Sequence, residues 1–289
     1  PDQPLVALSG SNSLTLKGSL LRMNGGTLTV DSFIAGDNSS TVTINSNAPL
    51  VDLTDATVTA NTLAVGVDTN GHVALGNGVP ATKLTNSHLT FTNGGTFDLC
   101  LGATCSFGPT SGALALIATN STLAPTQFGL VDFTDATATA TATDPLIQVT
   151  GSTLTMSNPT PYGLVNVNGG TVGTFNGPLL SATNSTANLT GETRLLQLNS
   201  NGSLTRTGTG TGATFQFAGG ALTTARDTIM INPGATLTLN TPLLETTNTV
   251  LNLGATGGSS ETPLRIDANS DGGGTLISTT ALPLLSFSG

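Results

Sequence analysis

The chain repeats itself at long, regular distances. The segment PLVDLTDATVTA at 49–60 returns as GLVDFTDATATA at 129–140, after 80 residues. ATNST at 118–122 returns at 182–186, after 64 residues, and NGGT returns after 144. These distances are five, four and nine times 16, so a degenerate repeat of about 16 residues runs through the chain. Self-similarity at a fixed period is the sequence signature of a solenoid.

The repeat contains two kinds of short strand. In one, Thr alternates with an aliphatic residue, as in TLTV at 27–30 and TLTL at 236–239, which places Thr on one face. In the other, proline opens a more apolar segment, as in PLIQV at 145–149. Asn, Asp and Gly between the strands supply the positive φ of sharp turns. We expect the flanking threonines to point outward, and the inward side chains to include Leu28, Val30, Val42, Ile44, Val58, Leu154, Leu237 and Leu239.

The spacing also decides between fold classes. A β-sandwich has short strands and Gly-rich turns as well, but its strands have no reason to keep a numerical register over 144 residues. The stacked coils of a solenoid keep a numerical register, because each coil must offer the next one the same row of backbone hydrogen-bonding groups. The sequence therefore predicts an all-β fold, one parallel β-helix over residues 1–289, with looser loops near 63–84 and 99–112. Spacing leaves open whether one coil holds one repeat or two.

Composition restricts the partners of the chain. Charged residues are only 8% of the sequence, and seven Lys and Arg stand against 16 Asp and Glu, for a formal charge of −9. Phosphate backbones would repel such a surface, so we expect no nucleic-acid binding. No apolar run approaches the roughly 18 residues that cross a bilayer, so we expect no membrane insertion.

Titratable side chains are sparse, with two histidines and three glutamates in 289 residues. Asp52 and Asp55 recur as Asp132 and Asp135 at the repeat distance. Turn formation predicts such recurrence, whereas a single active site does not. We therefore expect no catalytic residue and no enzymatic activity, and we place a polysaccharide-cleaving β-helix enzyme third among the functional classes.

The two cysteines, Cys100 and Cys105, are separated by four residues, among them Gly102. They form either a small disulfide loop, which requires an oxidising compartment, or two buried free thiols on neighbouring strands. We favour the disulfide. A zinc site is disfavoured, because a single CxxxxC cannot complete a tetrahedral shell.

One segment has the spacing of a calcium loop. Asp267, Asn269 and Asp271 supply oxygen ligands at alternating positions, with Gly272 at the sixth. The bidentate Glu of such loops is replaced by Ser278. The segment therefore predicts either a calcium site, the one cofactor we consider, or a polar corner of the solenoid, and the missing Glu favours the corner.

The units GGTLTV, TDATVTAN and NPGATLTLNTP resemble the repeats of secreted bacterial β-helix proteins, the autotransporter passengers and filamentous-haemagglutinin-like adhesins. The resemblance covers nearly the whole chain. It is based on the low charge, the Asn/Gly/Thr turns and the alternating strands, and it includes no family-specific motif. It implies secretion to the cell surface and a right-handed helix, and it carries over no functional residue.

These patterns favour a structural or adhesive β-solenoid at the cell surface or outside the cell. Ice or glycan surface binding by outward Thr-x-Thr strands is the alternative, although ANLTG at 187–191 and LTRTG at 204–208 interrupt the ladder. Neither PLVALSG from Pro4 nor LPLLSFSG up to Gly289 resembles a charged or helical cap. We therefore expect copies to join end to end, or a longer solenoid to continue.

Overall fold

The fold is a parallel β-solenoid without helices in the part of the chain that the structure describes. This computed structural model describes residues 3–36, 41–44, 48–61, 65–67, 73–75, 80–92, 97–101, 104–107, 113, 115–126, 129–208, 212–254, 262–269 and 272–289. Among these residues every strand pair is parallel except one short hairpin near the C-terminal end.

The strands are short and follow one another in a fixed order around the solenoid. In chain order they are β1 (Val6–Leu8), β2 (Ser13–Leu16), β3 (Leu21–Asn24), β4 (Thr27–Val30), β5 (Ile34–Gly36), β6 (Thr41–Ile44), β7 (Val51–Thr54), β8 (Thr57–Ala60), β9 (Val65–Val67), β10 (Val73–Leu75), β11 (Thr82–Thr85), β12 (His88–Phe91), β13 (Phe97–Leu101), β14 (Thr104–Phe107), β15 (Leu116–Thr119), β16 (Thr122–Ala124), β17 (Val131–Thr134), β18 (Thr137–Ala140), β19 (Ile147–Thr150), β20 (Thr153–Asn168), β21 (Val172–Phe175), β22 (Leu180–Leu198), β23 (Ser203–Arg206), β24 (Phe215–Thr224), β25 (Ile229–Ile231), β26 (Thr236–Leu239), β27 (Leu244–Thr247), β28 (Val250–Leu253), β29 (Leu264–Ile266), β30 (Ala268–Asn269), β31 (Gly272–Gly273), β32 (Thr275–Ser278) and β33 (Leu285–Ser288).

Up to β16, each strand pairs with the strand four places further along, and the strands stack into four columns that continue to the C-terminal end. Val51 pairs with Thr82, Thr82 with Leu116, and Leu116 with Ile147, in steps of 31, 34 and 31 residues. A coil therefore holds two of the 16-residue repeats. We number the columns by their first strands, β1 to β4. The long strands β20, β22 and β24 run through more than one column, because their corners also have extended backbone.

The two halves of a coil are equivalent. PLVDL at 49–53 leads into β7 of the third column, whereas its counterpart five repeats later, GLVDF at 129–133, leads into β17 of the first column. ATNST, displaced by four repeats, spans the corner between the third and fourth columns both times, first from β15 into β16 and then within β22. An odd number of repeats thus moves a segment to the opposite side of the solenoid. Each half-coil consists of an apolar strand, a corner and a threonine-rich strand.

The inward side chains form one hydrophobic core along the axis. Val58, Leu154, Leu237 and Leu239 are fully buried, as the alternation predicts, and Leu28 packs against the core at its edge. Burial of each such side chain stabilises the fold by about 1.5–3 kcal/mol. The core also contains Val30 as predicted, whereas the side chains of Val42 and Ile44 lie outside the described residues.

Several phenylalanines are part of this core. Phe33, Phe91, Phe133, Phe175 and Phe215 are all completely buried. The rings of Phe133 and Phe175 lie 5.7 Å apart in successive coils at an interplanar angle of 48°. This tilted arrangement is one that aromatic pairs favour.

The corner between the third and fourth columns is turned by residues with positive φ, one in most coils and two adjacent glycines in the coils of Gly25 and Gly219. Asn86, Asn120 and Asn184 have φ of 48°, 49° and 49°, in the left-handed region that Asn tolerates better than other side chains. Gly151 takes this position in the coil between Asn120 and Asn184. The Asn, Asp and Gly residues that predict turns in the sequence therefore form a row along the solenoid.

A ladder of buried serine hydroxyls follows this row of turns. The backbone N–H of Ser87 donates to Oγ of Ser121 at 3.0 Å, that of Ser121 to Oγ of Ser152 at 3.0 Å, and that of Ser152 to Oγ of Ser185 at 3.1 Å. Each of these hydroxyls donates to the carbonyl two residues before it. The ladder thus satisfies the buried backbone N–H groups that the corner removes from the β-sheet.

The segments predicted as looser loops contain parts of the columns. Strands β9 and β10 lie within 63–84, and β14 lies within 99–112. Val65 pairs with Ile34 on one side and with Phe97 on the other. Much of the remainder of both segments lies outside the described residues.

Candidate functional surface

The outward face of the fourth column presents two rows of polar side chains along the axis. Thr27 pairs with Thr57, and Thr153 pairs with Thr186, so that successive coils place these side chains in line. The first row contains Thr27, Thr57, His88, Thr122, Thr153, Thr186, Ala221 and Val250; the second contains Thr29, Thr59, Thr90, Ala124, Thr155, Asn188, Thr223 and Asn252. We call these the hydroxyl rows. All sixteen residues are half-buried or exposed.

The second column, on the opposite side, has a comparable row. Thr139, Thr174, Thr205 and Thr238 pair in register through four successive coils. The expectation that LTRTG interrupts the threonine ladder is therefore wrong, because Arg206 points inward and Thr205 continues the row. The predicted interruption at ANLTG is confirmed, since Asn188 lies in the fourth column at a position where other coils have threonine.

The first column has a row of carboxylate and amide side chains in place of threonines. Nδ2 of Asn166 donates to both carboxylate oxygens of Asp132, each at 3.2 Å, and Nδ2 of Asn168 donates to Oδ1 at 3.3 Å. Asn199 donates to Oδ1 of Asn166 at 3.3 Å and accepts from Gln197 at 2.9 Å. We call this the amide ladder. It links successive coils through side chains as well as through the sheet.

Asp132 has an unusual environment for an acid. Its side chain and that of Asn166 are almost completely buried. Burial raises the pKa of the Asp132 carboxyl from its ordinary 3.8 to about 6, against the opposing effect of the hydrogen bonds from Asn166, Thr134 and Asn168. The carboxyl therefore changes its charge close to neutral pH.

A group of charged side chains continues the amide ladder toward the C-terminal end. Nη1 of Arg194 donates to Oε1 of Gln197 at 3.2 Å, and Nη2 lies 3.9 Å from Oδ2 of the buried Asp227. Nη1 of Arg265 lies 3.6 Å from the same carboxylate oxygen. Next to them, Nη2 of Arg226 lies 2.6 Å from Oε1 of Glu192. Three of the seven basic residues of the chain thus lie within 4 Å of a carboxylate oxygen in this group.

Arg206 is buried inside the solenoid, in an inward position that Phe175 and Leu239 hold in the neighbouring coils. Its Nη1 donates to the backbone carbonyl of Asn176. Burial lowers the pKa of the guanidinium to about 10, so it remains protonated at neutral pH. The sequence pattern predicts this buried position. Thr205 and Thr207 alternate around Arg206, so outward threonines place residue 206 in the core.

A groove of about 500 Å³ lies beside Glu245, where the chain passes from the second to the third column. Asn240, Thr280 and Ser286 line it with polar groups, and Leu282 lines it with an apolar one. A shallower depression of about 250 Å³ lies on the other side of Glu245. The repeat pattern does not predict this groove, because the residues of its walls are about 40 positions apart in the sequence.

The predicted disulfide and calcium residues are only partly described. Cys100 and Cys105 lie in β13 and β14, but their side chains fall outside the described residues, so the disulfide stays a prediction. Oδ2 of Asp267 lies 3.4 Å from Nη2 of Arg265. The side chain of Asn269 and all of Asp271 lie outside the described residues, and the calcium site also stays a prediction.

The histidines and glutamates that the structure describes do not come together in one cluster. His88 is exposed within the first hydroxyl row, and His72 lies outside the described residues. Glu192 pairs with Arg226, whereas Glu245 lies at the groove. Within the described ranges, no three His, Cys, Asp or Glu side chains come together as a metal site would need.

The described part of the chain has no helix with the length and apolar character to span a membrane. Comparison of the chain with protein-family models, with curated proteins and with solved structures finds no match.

Proposed function

We propose that this chain is a structural or adhesive β-solenoid of the cell surface or the extracellular space. The observation that carries the proposal is the continuous parallel register of the third column, which pairs strand to strand from β3 to β33. A rigid rod with a repeated surface is a direct product of that register.

The internal ladders make the rod stiff. Bending it would require the backbone hydrogen bonds of several columns to lengthen together, along with the serine ladder and the amide ladder. The second column alone has nine strands, and at about 4.8 Å between strands it extends about 38 Å. A spacer that holds another surface at a distance needs such stiffness.

The surface suits adhesion through many weak contacts. The fourth and second columns present hydroxyls in regular rows, and the hydroxyl rows contain no Lys, Arg, Asp or Glu. Contacts of this kind gain strength through multivalency and depend little on salt. A glycan, which offers many neutral hydroxyls, is the partner class that this chemistry favours.

End-to-end association of copies is part of the proposal. In the coil that contains β32 and β33, the inward Leu276 and Leu285 are only half-buried, and Phe287 is 51% exposed. A further coil, from a second copy or from the continuation of a longer solenoid, would cover these side chains and pair with the strands of this coil. A contact between copies does not close, so it extends into a filament along the solenoid axis.

Electron microscopy and small-angle X-ray scattering of the purified chain test the structural role. We expect straight rods or filaments, and we expect Leu285→Lys to shorten the filaments, with Ser286→Lys on the outward face of the same strand as control. Compact, globular particles of the folded chain would refute the proposal.

Beads coated with the chain test the adhesive role on glycan-coated surfaces. Beads that carry the folded chain should be retained at high salt, whereas beads that carry Leu237→Asp, whose fold is disrupted, should wash away. Equal retention of both would show that the fold has no part in adhesion.

A further inference from the structure

We propose that the outward face of the fourth column binds ice, through the two hydroxyl rows. This inference goes beyond the structural role, and its failure would leave that role in place. Four observations support it: the free hydroxyls, the spacing of the rows, the stiffness of the side chains, and the flanking residues.

The hydroxyls of the rows are available to a ligand. Ten of the sixteen positions are threonine. The hydroxyls of Thr57, Thr59, Thr153 and Thr155 make no side-chain hydrogen bond to any other residue that the structure describes. They therefore point their donors and acceptors outward.

The spacing of the rows is close to that of ice. With O–H···O distances of about 2.75 Å and tetrahedral geometry, second-neighbour oxygens in ice lie about 4.5 Å apart, and the axial repeat is about 7.3 Å. Successive strands of a sheet lie about 4.8 Å apart, and residues i and i+2 of a strand about 6.7 Å apart. The differences of about 0.3 and 0.6 Å are within the reach of small side-chain adjustments over a few coils.

Threonine suits this task better than other hydroxyl side chains. Its β-branch restricts χ1, so its hydroxyl loses little rotational freedom when it joins a lattice. Its methyl group fills space between the hydroxyls without competing for hydrogen bonds. Charged side chains, which hold their own disordered hydration shells, are absent from the sixteen positions of the rows.

The third column, next to the fourth, makes the face of the fourth column different from that of the second. In the third column, Thr85 pairs with Thr54 and with Thr119, and Thr119 pairs with Thr150, which adds a third row beside the two. The equivalent row of the first column, beside the second column, contains Thr134, Asn168, Asn199 and Asn232. The hydroxyl of Thr134 donates to Asp132, and the three asparagine side chains bond to one another. The fourth column therefore has the wider array of free hydroxyls.

The direct test is inhibition of ice recrystallisation by the purified chain. We expect the folded chain to slow crystal growth, and Thr59→Lys and Thr155→Lys to raise the concentration required by about tenfold or more. Thr174→Lys and Thr205→Lys, in the second column, are the matched controls and should behave as wild type. Circular dichroism establishes that each variant is folded.

A conservative variant covers the case in which a lysine disturbs the sheet. Thr155→Val keeps the shape of the side chain and removes only its hydroxyl, so it should fold normally and weaken inhibition in a smaller step. The proposal is overturned if the wild-type chain inhibits no better than Leu237→Asp, or if the variants of the second column lose as much activity as those of the fourth.

Discussion

Asn166 holds both carboxylate oxygens of Asp132 from the next coil, through two hydrogen bonds of 3.2 Å from one side-chain nitrogen. The two residues are 34 positions apart and pair directly in the sheet. Burial disfavours the charged form of this carboxyl and raises its pKa to about 6.

This pair makes the stability of the fold depend on pH. Because the pKa of Asp132 is higher in the folded chain than its ordinary 3.8, the folded state binds the proton more tightly. The resulting stabilisation is complete below about pH 3.8 and is lost as the pH rises through about 6. It amounts to at most about 3 kcal/mol.

Denaturant unfolding at pH 4 and pH 7 measures this effect. The free energy of unfolding of the wild-type chain should fall between these pH values by more than that of Asp132→Asn, which cannot ionise. Parallel pH profiles for the two proteins would show that Asp132 does not titrate in this range.

The serine ladder should be sensitive to the loss of one hydroxyl. Ser152→Ala removes the acceptor of the Ser121 N–H and one of the two donors to the carbonyl of Thr150, which keeps its hydrogen bond from the Asn120 N–H. We expect a loss of about 1–3 kcal/mol in the free energy of unfolding. Ser152→Thr keeps the hydroxyl and should lose less, because Thr171 makes the same kind of bond at the opposite corner. Equal losses for both variants would point to packing as the cause.

Inward and outward positions of one strand should respond differently to a charge. Leu237→Asp places a carboxylate in the core, where Leu237 is completely buried, and should destabilise the fold by about 4 kcal/mol or more. Thr238→Asp changes the next residue, which faces outward, and should stay within about 1 kcal/mol of wild type. Thermal unfolding of both variants measures the difference, and similar melting temperatures would contradict the assigned faces.

The prediction of a disulfide between Cys100 and Cys105 is tested by alkylation without reductant, followed by mass measurement. We expect no label on the folded or the denatured chain, because neither thiol is free. Reduction before alkylation should add two labels and serves as the control. Two labels on the unreduced, denatured chain would establish free thiols and remove the argument for an oxidising compartment.

Local patterns in the sequence were sufficient to predict the strands, the inward aliphatic residues and the turn residues. Thr-aliphatic alternation places Leu154 and Leu237 in the core whatever surrounds them, because successive side chains of a strand point to opposite faces. Asn120 and Asn184 could be placed at corners, since a positive φ is a local requirement that few residues tolerate. The repeat distances of about 16 residues were needed in addition to predict that these strands stack in successive coils.

Only the tertiary structure decided how many repeats make one coil, because the spacing of repeats does not say on which side of the axis each one lies. It also decided which polar residues meet. Asp132, Asn166 and Asn199 resemble ordinary outward residues in the sequence, and they form the amide ladder because stacking brings positions 34 and 33 residues apart into contact. The groove at Glu245 has the same origin, since each wall comes from a different coil.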